Sequence, residues 1–166
     1  NVSAGSTFGG AVTLSDTLTV SGTATFNGDI ASDAQYNTRV GGNAGNSFDG
    51  TNASQNTLIG YDAGTAITGG DNNTAVGKAA LAANTTGSNN TSVGTLSLDA
   101  NTTGERHVAV GYGALSANTT ANDNTAVGMN ALNVNTTGTQ NVAVGAYALD
   151  ANTTTNSNTA VGYNAL

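Results

Sequence analysis

The strongest constraint on this chain is an internal repeat with a period of 17 residues. A valine or isoleucine followed by glycine recurs eight times, at Val40, Ile59, Val76, Val93, Val110, Val127, Val144 and Val161. Each step after Ile59 is 17 residues, whereas the first is 19, which places two extra residues near Phe48 to Asn52. Because a unit this short cannot bury a core of its own, successive units must stack on one another.

Two further columns keep the same period and predict ladders of stacked side chains. An asparagine stands three residues before each key valine or isoleucine, except at His107, and a leucine stands five residues after it in most units. The consensus is N-T-A-V-G-x-x-A-L-x-x-N-T-T-G-x-x. The predicted ladders are Asn73, Asn90, Asn124, Asn141 and Asn158; Val76, Val93, Val110, Val127, Val144 and Val161; and Leu81, Leu98, Leu115, Leu132 and Leu149.

Each unit is predicted to contain two short strands joined by asparagine and glycine turns. Thr74-Ala75-Val76 alternates as a strand does, and Ala80-Leu81 is the second candidate strand, with Leu81 turned inward. Stacked in parallel about 4.8 Å apart, such units form an all-β parallel β-solenoid (a β-roll or β-helix) of about eight 17-residue coils. We expect the valine and leucine columns to be buried and the alanine–glycine face to be free for close approach by another chain.

The N-terminal residues lack the repeat and are predicted to form a separate shaft. Three segments, ending at Leu14, Val20 and Phe26, alternate like short strands, and Asn27-Gly28 is a turn signal. We therefore assign residues 1–35 to a β-prism-like shaft or connector and residues 36–166 to the repeat solenoid. Both parts offer a thin apolar interior against the entropy of ordering the chain, which predicts a homo-oligomer.

The composition argues against several classes of function. Three basic residues against ten acidic ones, a formal net charge of −7, leave no basic surface for nucleic acid. No apolar run approaches the ~20 residues needed to insert across a membrane. With no cysteine, one histidine and scattered acids, we expect no metal, cofactor or catalytic residue, and the chain is predicted not to be an enzyme. A polysaccharide-cleaving enzyme would need paired carboxylates, but Asp99 and Asp150 lie about 14 Å apart by strand spacing.

The unit from Asn73 to Gly87 resembles the repeats of bacteriophage tail-fibre and related virion proteins. The stretch from Leu18 to Asp29 is similar to the trimeric β shafts of such fibres, and the Asn-Thr-Ala-Val-Gly core is also similar to the head repeats of trimeric autotransporter adhesins. The resemblance implies an intertwined or side-by-side homotrimer, a structural segment of a viral tail fibre that spaces or presents host-receptor binding. Its partners would be other virion or fibre proteins and a host surface glycan or protein. The alternative is a bacterial surface adhesin head or extracellular filament subunit, so the expected location is the virion, the cell surface or the extracellular space.

Four tyrosines are the candidate receptor contacts: Tyr61, Tyr112, Tyr147 and Tyr163. Three of them share the column two residues after the key valine or isoleucine, and Tyr147 lies one residue further on. An exposed ring can stack on a sugar or contact a receptor, because its body is apolar and its tip is polar. The alternative interpretation is that these rings cover the edge of the coil or pack between chains.

Overall fold

The computed structural model describes residues 33–48 and 52–166. These residues form eight strands of three residues each: β1 (Thr38–Val40), β2 (Thr57–Ile59), β3 (Thr74–Val76), β4 (Thr91–Val93), β5 (Val108–Val110), β6 (Thr125–Val127), β7 (Val142–Val144) and β8 (Thr159–Val161). They pair in parallel, in sequence order, as one eight-stranded sheet. This confirms the predicted all-β parallel solenoid. The predicted shaft strands lie outside the described residues.

The register between strands follows the sequence period. Thr74 pairs with Thr91 and Val76 with Val93, a shift of 17 residues, whereas Thr38 pairs with Thr57 across the 19-residue first unit. Equivalent positions of the repeat are therefore stacked on one another along the whole sheet. We number the positions of a coil from its asparagine, so that Asn73 is position 1, Val76 position 4 and Asn89 position 17.

The predicted second strand is wrong. Ala80 and Leu81 lie in a run of turns, and the residues of the sheet are confined to positions 2 to 4. The φ angles of Ala79 (54°) and Leu81 (57°) are positive, which no strand accommodates. The Ala80 N–H donates to the Gly77 carbonyl at 3.3 Å and closes a tight turn instead. Hydrogen bonds to neighbouring coils continue through this segment, as from Leu81 N–H to the Ser97 carbonyl at 3.0 Å.

The expectation for the faces of the strand is also wrong, because the alanine points inward and the valine outward. Ala75 and Ala109 are fully buried, whereas Val144 is 37% exposed and Val161 71% exposed. The physical reason is the thinness of the coil, in which position 3 packs directly against position 8. In one coil the Ser92 hydroxyl lies 2.6 Å from that of Ser97 across the interior. Only a small side chain fits there, so the buried leucines at position 9 supply the bulk of the core.

The second coil fills the same interior in a different way. Leu58 stands where later coils carry alanine or serine, and Gly64 stands where they carry leucine. Leu58 is fully buried, and a Cβ placed on Gly64 would lie 2.8 Å from its Cδ2 atom. The large side chain thus moves from one wall of the core to the other while the filled volume is kept, a swap that cores tolerate.

The glycine at position 5 is required by two independent features. Gly94 has a φ of +134°, which side chains rarely adopt, and a Cβ there would lie 2.5 Å from the Gly111 carbonyl oxygen of the next coil. The same close approach recurs from Gly41 to Gly145. This column therefore sets how closely successive coils can stack.

Candidate functional site

The asparagine column at position 1 forms a continuous hydrogen-bonded ladder inside the solenoid. Asn73 Nδ2 donates to the Gly87 carbonyl at 2.9 Å, and its Oδ1 accepts the backbone N–H of Asn90 at 3.0 Å. Asn84 Nδ2 donates to the same Gly87 carbonyl at 2.9 Å. Where position 12 is asparagine, two buried amides thus hold one turn of the coil, and their polar groups are satisfied within the protein.

A second ladder runs through the asparagine of the Asn-Thr-Thr triplets. Asn101 Nδ2 donates to Asn84 Oδ1 at 2.8 Å, and Asn118 Nδ2 to Asn101 Oδ1 at 2.9 Å. Asn84, Asn101, Asn118 and Asn135 are fully buried. These side chains are structural, and in the folded chain their amide nitrogens are not accessible for attachment of a sugar.

His107 takes the place of asparagine in its ladder and makes equivalent bonds. Its Nδ1 accepts the backbone N–H of Asn124 at 3.2 Å, which puts the ring proton on Nε2, 2.7 Å from the Ala121 carbonyl. Nδ1 thereby replaces an asparagine oxygen, and Nε2–H replaces an asparagine NH₂. Burial lowers the pKa of His107, with the hydrogen bonds to Ala121 and Asn124 acting in the opposite direction.

The outward face of the sheet is an uninterrupted stripe of β-branched side chains, which we call the strand face. It consists of positions 2 and 4 of every coil, occupied by threonine or valine and by valine or isoleucine respectively. Val108 and Val144 are each 37% exposed, and Ile59 is 39% exposed. By strand spacing the stripe is roughly 34 Å long. None of its positions carries an acidic residue.

The acids of the described coils lie on the turns instead. Asp71 accepts hydrogen bonds from the Ser54 N–H and hydroxyl at 2.8 and 2.9 Å. Arg106 bridges Asp123 at 2.7 Å and Glu105 at 2.6 Å, and its hydrogen bond lowers the pKa of Asp123. Over residues 33–48 and 52–166, no three histidine, aspartate or glutamate side chains are grouped so that they could hold a metal ion. Nor does this part of the chain contain a helix long and apolar enough to cross a membrane.

The four predicted tyrosines do not form one cluster. Tyr147 and Tyr163 meet edge to face, with ring centroids 6.2 Å apart and planes at 85°. Tyr61 and Tyr112 are 55% and 54% exposed and are separated by three coils, about 14 Å. Of the four, Tyr112 alone lines the cavity described next.

A cavity of about 440 Å³ opens on the turns beside Tyr112, and we call it the Tyr112 pocket. Its wall comprises Leu96, Asp99, Tyr112, Gly113, Ser116, Ala117 and Asn130. All of these stand at positions 6, 7, 10 and 11 of three successive coils. The floor is formed by Gly113, which has no side chain at position 7, where the neighbouring coils carry Leu96 and Asn130; the end of the Asn130 side chain lies against Gly113.

Asp99 is the charged group of this pocket. Its Oδ1 is buried and accepts no hydrogen bond from any described residue. Burial raises the pKa of Asp99, against the lowering effect of the backbone N–H groups of Asp99 and Ala100. Sequence reasoning singled out Tyr112 but missed Asp99, Gly113 and Asn130 as its neighbours. The one available signal was the glycine at position 7, which interrupts a column of larger side chains.

Comparisons with protein-family models, with curated proteins and with solved structures found no match to this chain.

Proposed function

We propose that this chain is a structural segment of a trimeric fibre, of the kind found in viral tail fibres, in which three copies associate through the strand face. The observation that supports this is the strand face itself, a stripe of threonine, valine and isoleucine side chains along all eight strands of the sheet. The repeats favour a rod of stacked coils, and the stripe marks the surface through which copies of the chain would associate. The fibre holds receptor-binding groups at fixed spacing on the virion.

A second copy of this chain is the occupant that best fits the strand face. The chain has a formal net charge of −7, so two copies repel each other wherever their acidic turns meet. The strand face carries no acid, so it can approach another copy without this repulsion. Its β-branched side chains are stiff, so little side-chain entropy is lost when they pack.

The size of the stripe also favours contact with more than one neighbour. A strip roughly 34 Å long and about 10 Å wide offers ~340 Å², below the ~800 Å² that each partner of a stable pair contributes. In a trimer each chain contacts two others, and the residues flanking the stripe add to the contact. Because the two contacts share the stripe, the larger buried area of a threefold assembly comes from the residues that flank the stripe on both sides.

The test is the mass of the chain in solution. We expect multi-angle light scattering and sedimentation of the full chain to give three times the mass of one chain. Replacing two strand-face residues, Val93→Lys and Val127→Lys, should dissociate the particle through charge repulsion and desolvation. Thr103→Lys and Thr137→Lys place the same charges on exposed turns of the same two coils and should leave the mass unchanged. A wild-type mass of one chain at tens of micromolar refutes the assembly.

A further inference from the structure

We infer that the Tyr112 pocket binds one neutral pyranose, such as a terminal hexose or N-acetylhexosamine of a glycan. This assignment rests on the proposed function and names the receptor chemistry that one surface of the rod accepts. The carrying observation is the combination, in one cavity, of an exposed aromatic ring, an asparagine amide and a buried carboxylate oxygen that no described residue partners.

The shape of the pocket suits a single sugar ring. Its volume of about 440 Å³ lies at the lower end of the range of small-molecule sites. Gly113 lies at the floor beside the end of the Asn130 side chain, and Leu96 and Ala117 contribute apolar surface to the wall. A pyranose has one apolar C–H face and a rim of hydroxyl groups, so it requires an apolar wall on one side and polar groups around it. The Tyr112 ring, 54% exposed, provides a surface on which the C–H face can lie.

The polar groups of the pocket match hydroxyl groups rather than an anion. Asp99 Oδ1 is buried and accepts no hydrogen bond from a described residue, so a rotation of the side chain that turns Oδ1 toward a sugar hydroxyl would remove that deficit. The Asn130 side chain makes no hydrogen bond with the described residues, which leaves its amide free both to donate and to accept. Ser116 donates its hydroxyl proton to the Asn133 carbonyl at 3.2 Å, so its oxygen remains an acceptor.

The charge of the pocket excludes acidic sugars. Asp99 is its one ionisable group near neutral pH, and the surrounding chain is acidic. A carboxylate-bearing sugar would meet like charge without a basic side chain to offset it. All the lining residues belong to one chain and none is on the strand face, so a single chain forms the whole pocket.

Saturation-transfer NMR on the full chain tests this inference, with the methyl glycosides of glucose, galactose, mannose and N-acetylglucosamine as probes and a methyl sialoside as the anionic comparison. We expect at least one neutral glycoside to bind with a Kd on the order of 1 mM, as for other small ligands with few contacts, and the sialoside to give no signal. Tyr112→Ala should weaken binding by about five-fold or more. The matched control Tyr61→Ala removes an equally exposed tyrosine of the same column and should not change it.

Two further variants address the pocket without removing the ring. Gly113→Asn places in the floor the side chain that the next coil carries at Asn130, and Asp99→Ala introduces the residue that Ala82 contributes at the same position. Both should abolish the signal while the far-ultraviolet dichroism stays unchanged. Absence of a signal from every neutral glycoside, or binding that survives Gly113→Asn, overturns the assignment. A single-chain particle that still binds refutes the trimer alone, and a trimer that binds none of the glycosides refutes the pocket alone.

Discussion

The position-5 glycines provide the most direct test of how closely the coils stack. In the variant Gly94→Ala, the new methyl group would lie 2.5 Å from the Gly111 carbonyl oxygen, whereas ordinary contact begins near 3.4 Å. The two coils must therefore separate locally by about 0.9 Å, the difference between these distances. The bond from Gly111 N–H to the Val93 carbonyl, 2.8 Å long, crosses the same gap and would stretch to about 3.7 Å, beyond a hydrogen bond.

The expected cost is the sum of the conformational and the packing terms. A side chain at a φ of +134° is strained by about 1–3 kcal/mol, and one or two lost ladder bonds cost about 1 kcal/mol each. Gly94→Ala should therefore lower the free energy of unfolding by roughly 2–5 kcal/mol. Urea unfolding followed by circular dichroism, at one protein concentration for all variants, measures this as a lower midpoint at an unchanged slope.

Gly113→Ala is the matched control in the next coil. It also adds a methyl group at positive φ (+62°), but the nearest atom is the end of the flexible Asn130 side chain rather than backbone. Ala79 already occupies the same position at a φ of 54°. The left-handed strain is partly offset by the lower entropy of the unfolded chain, so the change should stay within about 1 kcal/mol. Equal midpoints for the two variants would refute close backbone stacking as the reason for the glycine column.

Three further predictions follow from the interior and the pocket. Leu115→Ala, at a fully buried position, should lower the free energy of unfolding by about 2–5 kcal/mol in the same urea assay; a change below about 0.5 kcal/mol would contradict the leucine core. Because burial lowers the pKa of His107, the unfolded chain binds this proton more readily than the folded chain does. The free energy of unfolding therefore has its full value above the unfolded pKa of about 6.5 and falls as the pH drops through the lower folded pKa. His107→Asn should remove this loss, and parallel thermal melts at pH 7 and pH 5 that change equally in both proteins would contradict it. Asp99→Asn introduces the residue that Asn133 provides at the same position of the next coil but one. It should raise the urea midpoint of unfolding at pH 7, since burial opposes the ionised form of Asp99. An unchanged midpoint would show that the carboxylate is effectively solvated.

The period and the parallel register could be predicted from the sequence because identical residues at a fixed interval can satisfy one another only by stacking. Which side of the strand points into the solenoid could not be predicted. Thr-Ala-Val alternates equally well in both orientations, and hydrophobicity alone favours Val76 over Ala75 for the interior. In the coils with leucine at position 9, the distance between the strand and the turn at position 8 decides which side chain points inward, because it leaves room for a methyl or hydroxyl group only. That distance is a property of the closed coil and has no signature in a single unit.

The prediction of a second strand at Ala80-Leu81 was wrong for a different reason. Ala80-Leu81 has ordinary strand composition, but the positive φ of Ala79 and Leu81 folds the chain back within four residues. Leucine at a left-handed backbone angle is uncommon and costs about 1–2 kcal/mol, so no local rule predicts it. It persists because the inward position that this geometry gives Leu81 is the one place where the core accepts a large side chain.

The same division between fixed and free positions explains where a binding site can arise on this rod. Five positions contact the next coil or the interior: the glycine at position 5, the asparagines at positions 1 and 12, the small residue at position 3 and the large residue at position 9. Most substitutions at these positions therefore disturb the stacking of the coils. Positions 6, 7 and 10 contact solvent and vary widely, from Lys78 to Tyr112 to Ala146 at position 6. Substitutions there leave the ladder intact, so a pocket can arise in an otherwise regular surface. A rod built in this way can change the ligand it presents without changing its fold, and the Tyr112 pocket is where such a change is visible in this chain.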